Sequence, residues 1–86
     1  MSDFNGAYFV VGGLAFAAVK VRPQAVSSER SREETTAYFR KFFPQVPILL
    51  AVQSPDGRIT FWGEEVLAKY LAKNAHAINW CIYSTD

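Results

Sequence analysis

Residues 46–73 read VPILLAVQSPDGRITFWGEEVLAKYLAK, and this stretch constrains the fold more than any other part of the chain. It opens with a near-continuous apolar run, 46–53, of the kind seen in a strand covered on both faces. Ser54-Pro55-Asp56-Gly57 then supplies a turn. Pro55 presets its φ, Asp56 can accept a hydrogen bond from the nearby backbone, and Gly57 can take the positive φ that closes such a loop. Residues 58–62 alternate polar and apolar, which predicts an antiparallel return strand. Gly63 breaks the pattern, and residues 64–73 read as a helix with Val66, Leu67, Tyr70 and Leu71 on one face. Within it Glu65 and Lys69 have the favourable i,i+4 order, worth roughly 0.3–0.5 kcal/mol.

The rest of the chain is read outward from that core. Gly12-Gly13 separates two apolar runs, 6–11 and 14–22, and paired glycines satisfy the two positive φ angles of a tight hairpin turn. A helix through Leu14-Ala-Phe-Ala-Ala is the competing reading of the second run. Its alternation of Val19 and Val21 with Lys20 and Arg22 favours a strand. Ser31-Arg32-Glu33-Glu34 fits a capping box, so a helix is expected from about 32 to 43, where Pro44 ends it. Ser28 is the alternative N-cap. Asn74 suits a left-handed C-terminal cap, and Ile78, Trp80 and Ile82 alternate with Asn79, Cys81 and Tyr83 as a last strand would. The expected order is ββαββαβ. That order describes a single α+β domain over 1–86, with a mainly antiparallel sheet and two helices packed on one face.

Size and composition narrow the function classes. At 86 residues there is room for one core only, burying roughly 60–65% of the unfolded surface. The net charge of +1 points to no polyanionic partner. A single cysteine, Cys81, excludes an internal disulfide and fits a reducing, cytoplasmic setting. Residues 7–19 are uncharged but too short to span a bilayer, and Asp3 precedes them without a basic region, so no membrane role is expected.

Val46-Pro47, followed by a hairpin and a helix containing Lys69-Tyr70-Leu71, resembles the second half of the thioredoxin-like fold, in particular the N-terminal domain of glutathione transferases. That resemblance covers about 28 residues. It implies a cis Val-Pro bond ahead of the third strand. The chain departs from the family elsewhere: there is no CxxC, no serine or tyrosine nucleophile near the N-terminus, and too little chain for the family's first helix. Trp62-Gly63-Glu64-Glu65 stands where the family has Glu-Ser, so the glutathione site is not carried over and Pro47 reads as a strand-starting proline.

No catalytic, metal or nucleotide motif emerges. His76 and Cys81, five residues apart, would lie on opposite faces of a strand, and Cys81 reads as a small apolar filler. Ser27, Ser28 and Ser31 beside Arg30 and Arg32 are explained by capping, and the first-turn glutamates by the helix dipoles. Gly12-Gly13 lacks the rest of a dinucleotide loop. No enzyme activity, cofactor or metal is expected.

What remains is an aromatic and basic set. If Ile48, Leu50, Val52, Ile59 and Phe61 face the helices, then Phe16, Lys20, Arg22, Arg58, Thr60, Trp62 and Tyr83 share the helix-free face. Their composition is that of an interface core. The expected function is a non-enzymatic protein-binding domain, regulatory or inhibitory by occupying a partner's surface, in the manner of small phage or mobile-element inhibitors. Three alternatives compete. The same face could bind single-stranded nucleic acid through stacking Phe16, Trp62 and Tyr83 with Lys20, Arg22 and Arg58 on phosphates. It could make a homodimer, or a small-molecule pocket could lie between helix and sheet.

Overall fold

The computed structural model describes residues 3–84. Five strands and two helices follow in the order β1 (Asp3–Val11), β2 (Leu14–Lys20), α1 (Glu29–Phe39), β3 (Ile48–Gln53), β4 (Ile59–Trp62), α2 (Glu65–Lys73) and β5 (Cys81–Ser84). Short 3-10 turns at Pro23–Val26 and Ala75–Ala77 precede α1 and β5. The fold is α+β in the expected ββαββαβ order, with one sheet ordered β4-β3-β2-β1-β5. Only β2 and β3 pair in parallel, and the crossover between them carries α1. The β1–β2, β1–β5 and β3–β4 pairs are antiparallel.

The helices do not share a face. Ala17, Val19, Ile48 and Leu50 pack with Phe39 of α1 and Phe43 just beyond it. Their strand neighbours Phe16, Ala18 and Leu49 pack with Leu67 and Leu71 of α2. Successive strand residues point to opposite sides, so the sheet is the middle of three layers and the expected one-sided packing is corrected. The composition of β2 and β3 carries the reason: both are apolar at consecutive positions because both of their faces are covered.

Turn chemistry sets the local geometry. Gly12 and Gly13 have φ of 57° and 83°, the pair of positive values that a two-residue hairpin needs. In the β3–β4 loop Asp56 Oδ1 accepts from the Ser54 hydroxyl and from the Arg58 amide, and the Gly57 amide donates to the Ser54 carbonyl. Helix α1 starts a turn earlier than the capping-box reading placed it: Ser28 is the N-cap, and its Oγ accepts from the Ser31 amide at 3.1 Å. Glu64 caps α2 by accepting from the Leu67 amide at 3.0 Å. Asn74 is not left-handed; its side-chain amide donates to the Tyr70 carbonyl instead. The Glu65–Lys69 ion pair forms as expected, at 4.0 Å on the surface.

Two further expectations change. There is no cis peptide bond among the described residues, so the Val46-Pro47 bond is trans. Pro47 stands immediately before β3, and its carbonyl accepts from the Ala17 amide at 2.9 Å. Cys81 is exposed at the start of β5 rather than filling the core. No helix among the described residues is long and apolar enough to cross a membrane.

Candidate functional site

The seven residues expected on one open face are distributed over the molecule. Phe16 is 1% exposed and lies in the core under α2. Lys20 points to the same side, where its Nζ lies 4.9 Å from the centre of the Trp80 ring. Arg22 lies past the end of β2 as the N-cap of the Pro23–Val26 turn. Thr60 and Trp62 face the α1 side, because Trp62 pairs with Leu50 and Thr60 with Val52. Arg58 is in the turn before β4 and pairs with Asp56 at 3.5 Å. Tyr83 also faces α1 but on β5, at the far edge of the sheet, stacked on Phe4 with ring centres 5.2 Å apart. The helix-free face does not exist, since each side of the sheet carries a helix.

Alternation carried across the β3–β4 loop predicts Ile59 and Phe61 on the side of Leu50, whereas the register sets Phe61 opposite Ala51 and Ile59 opposite Gln53. Phe61 therefore packs with Leu49 under α2, and Trp62 belongs with Leu50. Apolar residues lie on both sides of these strands, so alternation alone could not reveal which side faced α1.

Trp62 is nevertheless the centre of a defined site. It ends the edge strand β4, 38% exposed, and the Arg32 guanidinium of α1 lies over its ring at 4.7 Å. Arg32 is held there by a 2.9 Å hydrogen bond from Nη1 to the Val26 carbonyl. A groove of about 560 Å³ runs between α1 and β4 beside this pair. Trp62, Leu50 and Gly63 form its floor, and Glu29, Arg32, Glu33 and Arg40 bring charges of both signs along the α1 wall. Gly63 lets the chain pass close to β3: its φ is 151°, and a Cβ there would stand 3.1 Å from Leu49 Cγ and 3.3 Å from the Ile48 carbonyl oxygen. The backbone thus turns sharply at the groove and leads directly into the Glu64 cap of α2.

A second exposed feature was visible in sequence only as an uncharged run. The β1–β2 hairpin extends past the rest of the sheet. Strand β3 reaches β2 only over residues 17–20, and β5 reaches β1 only over residues 3–6. Beyond both limits, over residues 9–16, the hairpin is a two-stranded ribbon with Val10, Val11 and Leu14 exposed, and Tyr8 is exposed at its base. Its signal in the sequence is the uncharged run 7–19.

Comparison with protein-family models, with curated proteins and with solved structures returns no match.

Proposed function

We propose that this chain is a non-enzymatic protein-binding domain acting in the cytoplasm, and that it regulates or inhibits a protein partner by covering part of its surface. Small phage or mobile-element inhibitors are the functional type it fits best. The observation that carries the reading is Arg32 laid over the partly exposed Trp62 in the α1–β4 groove. Tryptophan and arginine dominate binding hot spots, and a ring already flanked by a held guanidinium loses little side-chain freedom on docking. The mixed charges along α1 suit a polypeptide that carries both signs better than a polyanion. Thr60 and Arg58 continue the surface along β4. An exposed lone thiol at Cys81 supports a reducing compartment.

The stacking platform that single-stranded nucleic acid would need has less to recommend it. Phe16 is in the core, and Trp62 and Tyr83 stand at opposite edges of the sheet. The test is capture from lysate on immobilised wild type, Trp62→Ala and Thr60→Ala, with and without nuclease. A protein retained after nuclease by wild type, and lost with Trp62→Ala at a cost of about 2 kcal/mol or more in affinity, supports the proposal. Recovery that nuclease abolishes, or that is indifferent to Trp62, overturns it.

A further inference from the structure

We propose that the outer edge of β1, over residues 7–11, is an interface with a second copy of this chain, the two β1 strands pairing antiparallel about a two-fold axis. The site is distinct from the α1–β4 groove and lies toward the opposite end of the strand order.

Strand β1 is paired with β2 along residues 6–11, but β5 covers its other edge only from Asp3 to Gly6. Residues 7–11 therefore have one strand neighbour among the described residues, and β5 begins at Cys81, directly opposite Gly6. The result is a notch in the sheet one strand wide. Edge strands normally carry a lysine, a proline or a bulge that discourages pairing. This one carries none: Ala7-Tyr8-Phe9-Val10-Val11 is uncharged and high in β propensity, with Tyr8 52% and Val10 66% exposed. The opposite edge is defended, since β4 is four residues long and flanked by Arg58.

Three features select a second copy as the occupant. The first is charge. No charged residue stands between Asp3 and Lys20, so self-pairing of this segment sets no like charges opposite each other. The second is length. A strand entering the notch must stop or turn where Cys81 begins, and β1 itself does so, ending at Val11 in the Gly12-Gly13 turn. The third is symmetry. A two-fold axis normal to the sheet, centred near Val10, keeps Tyr8 and Val10 on the α1 side and Phe9 and Val11 on the α2 side in both copies. Apolar side chains then meet apolar side chains on each face. The β5 strand of each copy falls beyond the other's hairpin turn and is not displaced.

Sedimentation of the wild-type protein through the micromolar range should give twice the 9.6 kDa chain mass. Val10→Lys should give a monomer with unchanged far-ultraviolet dichroism, and Thr60→Lys on the other edge strand should remain dimeric. Hydrogen exchange on the wild type provides a readout free of substitutions. Protection of the residue 7–11 amides should rise with protein concentration, while that of Ile59–Trp62 stays constant. A monomer throughout, a dimer that survives Val10→Lys, or concentration-dependent protection at β4 instead of β1 overturns the proposal.

Discussion

Leu49 and Leu50 are consecutive on β3, and each is sealed beneath a different helix: Leu49 packs with Leu67 and Leu71 of α2, and Leu50 with Phe39 of α1. Both are fully buried. A one-sided sheet would have left one of them in water. This adjacency fixes the three-layer architecture and separates the core into two clusters whose energetics can be tested independently.

Leu67→Ala should destabilise the fold by about 2–5 kcal/mol, because the deleted side chain leaves a cavity between α2 and the sheet. Phe39→Ala should cost a similar amount on the other side. The helices are separated by the sheet, so the double variant should show additivity to within about 0.5 kcal/mol. Urea denaturation of the four proteins measures this. Strong coupling would mean the two clusters share packing.

Gly63→Ala should cost about 1–3 kcal/mol, since the new Cβ meets both a positive φ and the backbone of β3. Gly57→Val, at a φ of 91° but with open space around it, should cost about 1–2 kcal/mol from backbone strain alone. The thermal midpoints of the two variants separate the steric contribution from the conformational one.

Gln45 has a φ of 64°, the one non-glycine residue with positive φ among those described. Gln45→Gly should therefore stabilise the protein by roughly 0.5–1 kcal/mol, the relieved strain exceeding the entropy glycine adds to the unfolded chain. A lower thermal midpoint would contradict this.

The Asp56 carboxyl is held below its ordinary range, chiefly by the Ser54 hydroxyl and then by the Arg58 amide, both of which donate to it. Because the folded value lies below the unfolded one, the stabilisation is present above the unfolded pKa and is lost as pH falls through the folded one. A carboxyl-carbon titration by NMR should place the Asp56 midpoint below that of an unfolded peptide, and Ser54→Ala should raise it. Asp56 is fully exposed, so acid should loosen this turn without unfolding the domain.

The elements of the fold were legible because each has a local cause. The Gly12-Gly13 and Ser54–Gly57 turns, the apolar run of β3 and the α2 stripe announce themselves within a few residues. Helix α1 was harder to delimit. Its buried contacts come mainly from Phe39 and from Phe42 and Phe43 past its end, while most of the helix is polar and solvent-facing. The placement of layers was not legible. Which side of β3 receives α1 depends on a crossover between β2 and β3 that leaves no short-range trace. The site suffered for that reason. Trp62 was picked out by residue type, but its partner Arg32 is thirty residues away on a helix expected elsewhere. The uncharged β1 edge was visible as composition, and only the early end of the β5 pairing turns it into a surface.

The pairing of Asp3 with Ser84 joins the first and last strands of the described chain. During synthesis, α2 and everything before it leave the ribosome ahead of β5. Until then β1 presents its whole outer edge, uncharged from Phe4 to Val11, to neighbouring nascent chains on the same message. A contact so distant in sequence also forms late, after the local hairpins and helices have closed. The interval between those events is when this domain is most exposed to misassembly, and slowing translation ahead of β5 would lengthen it.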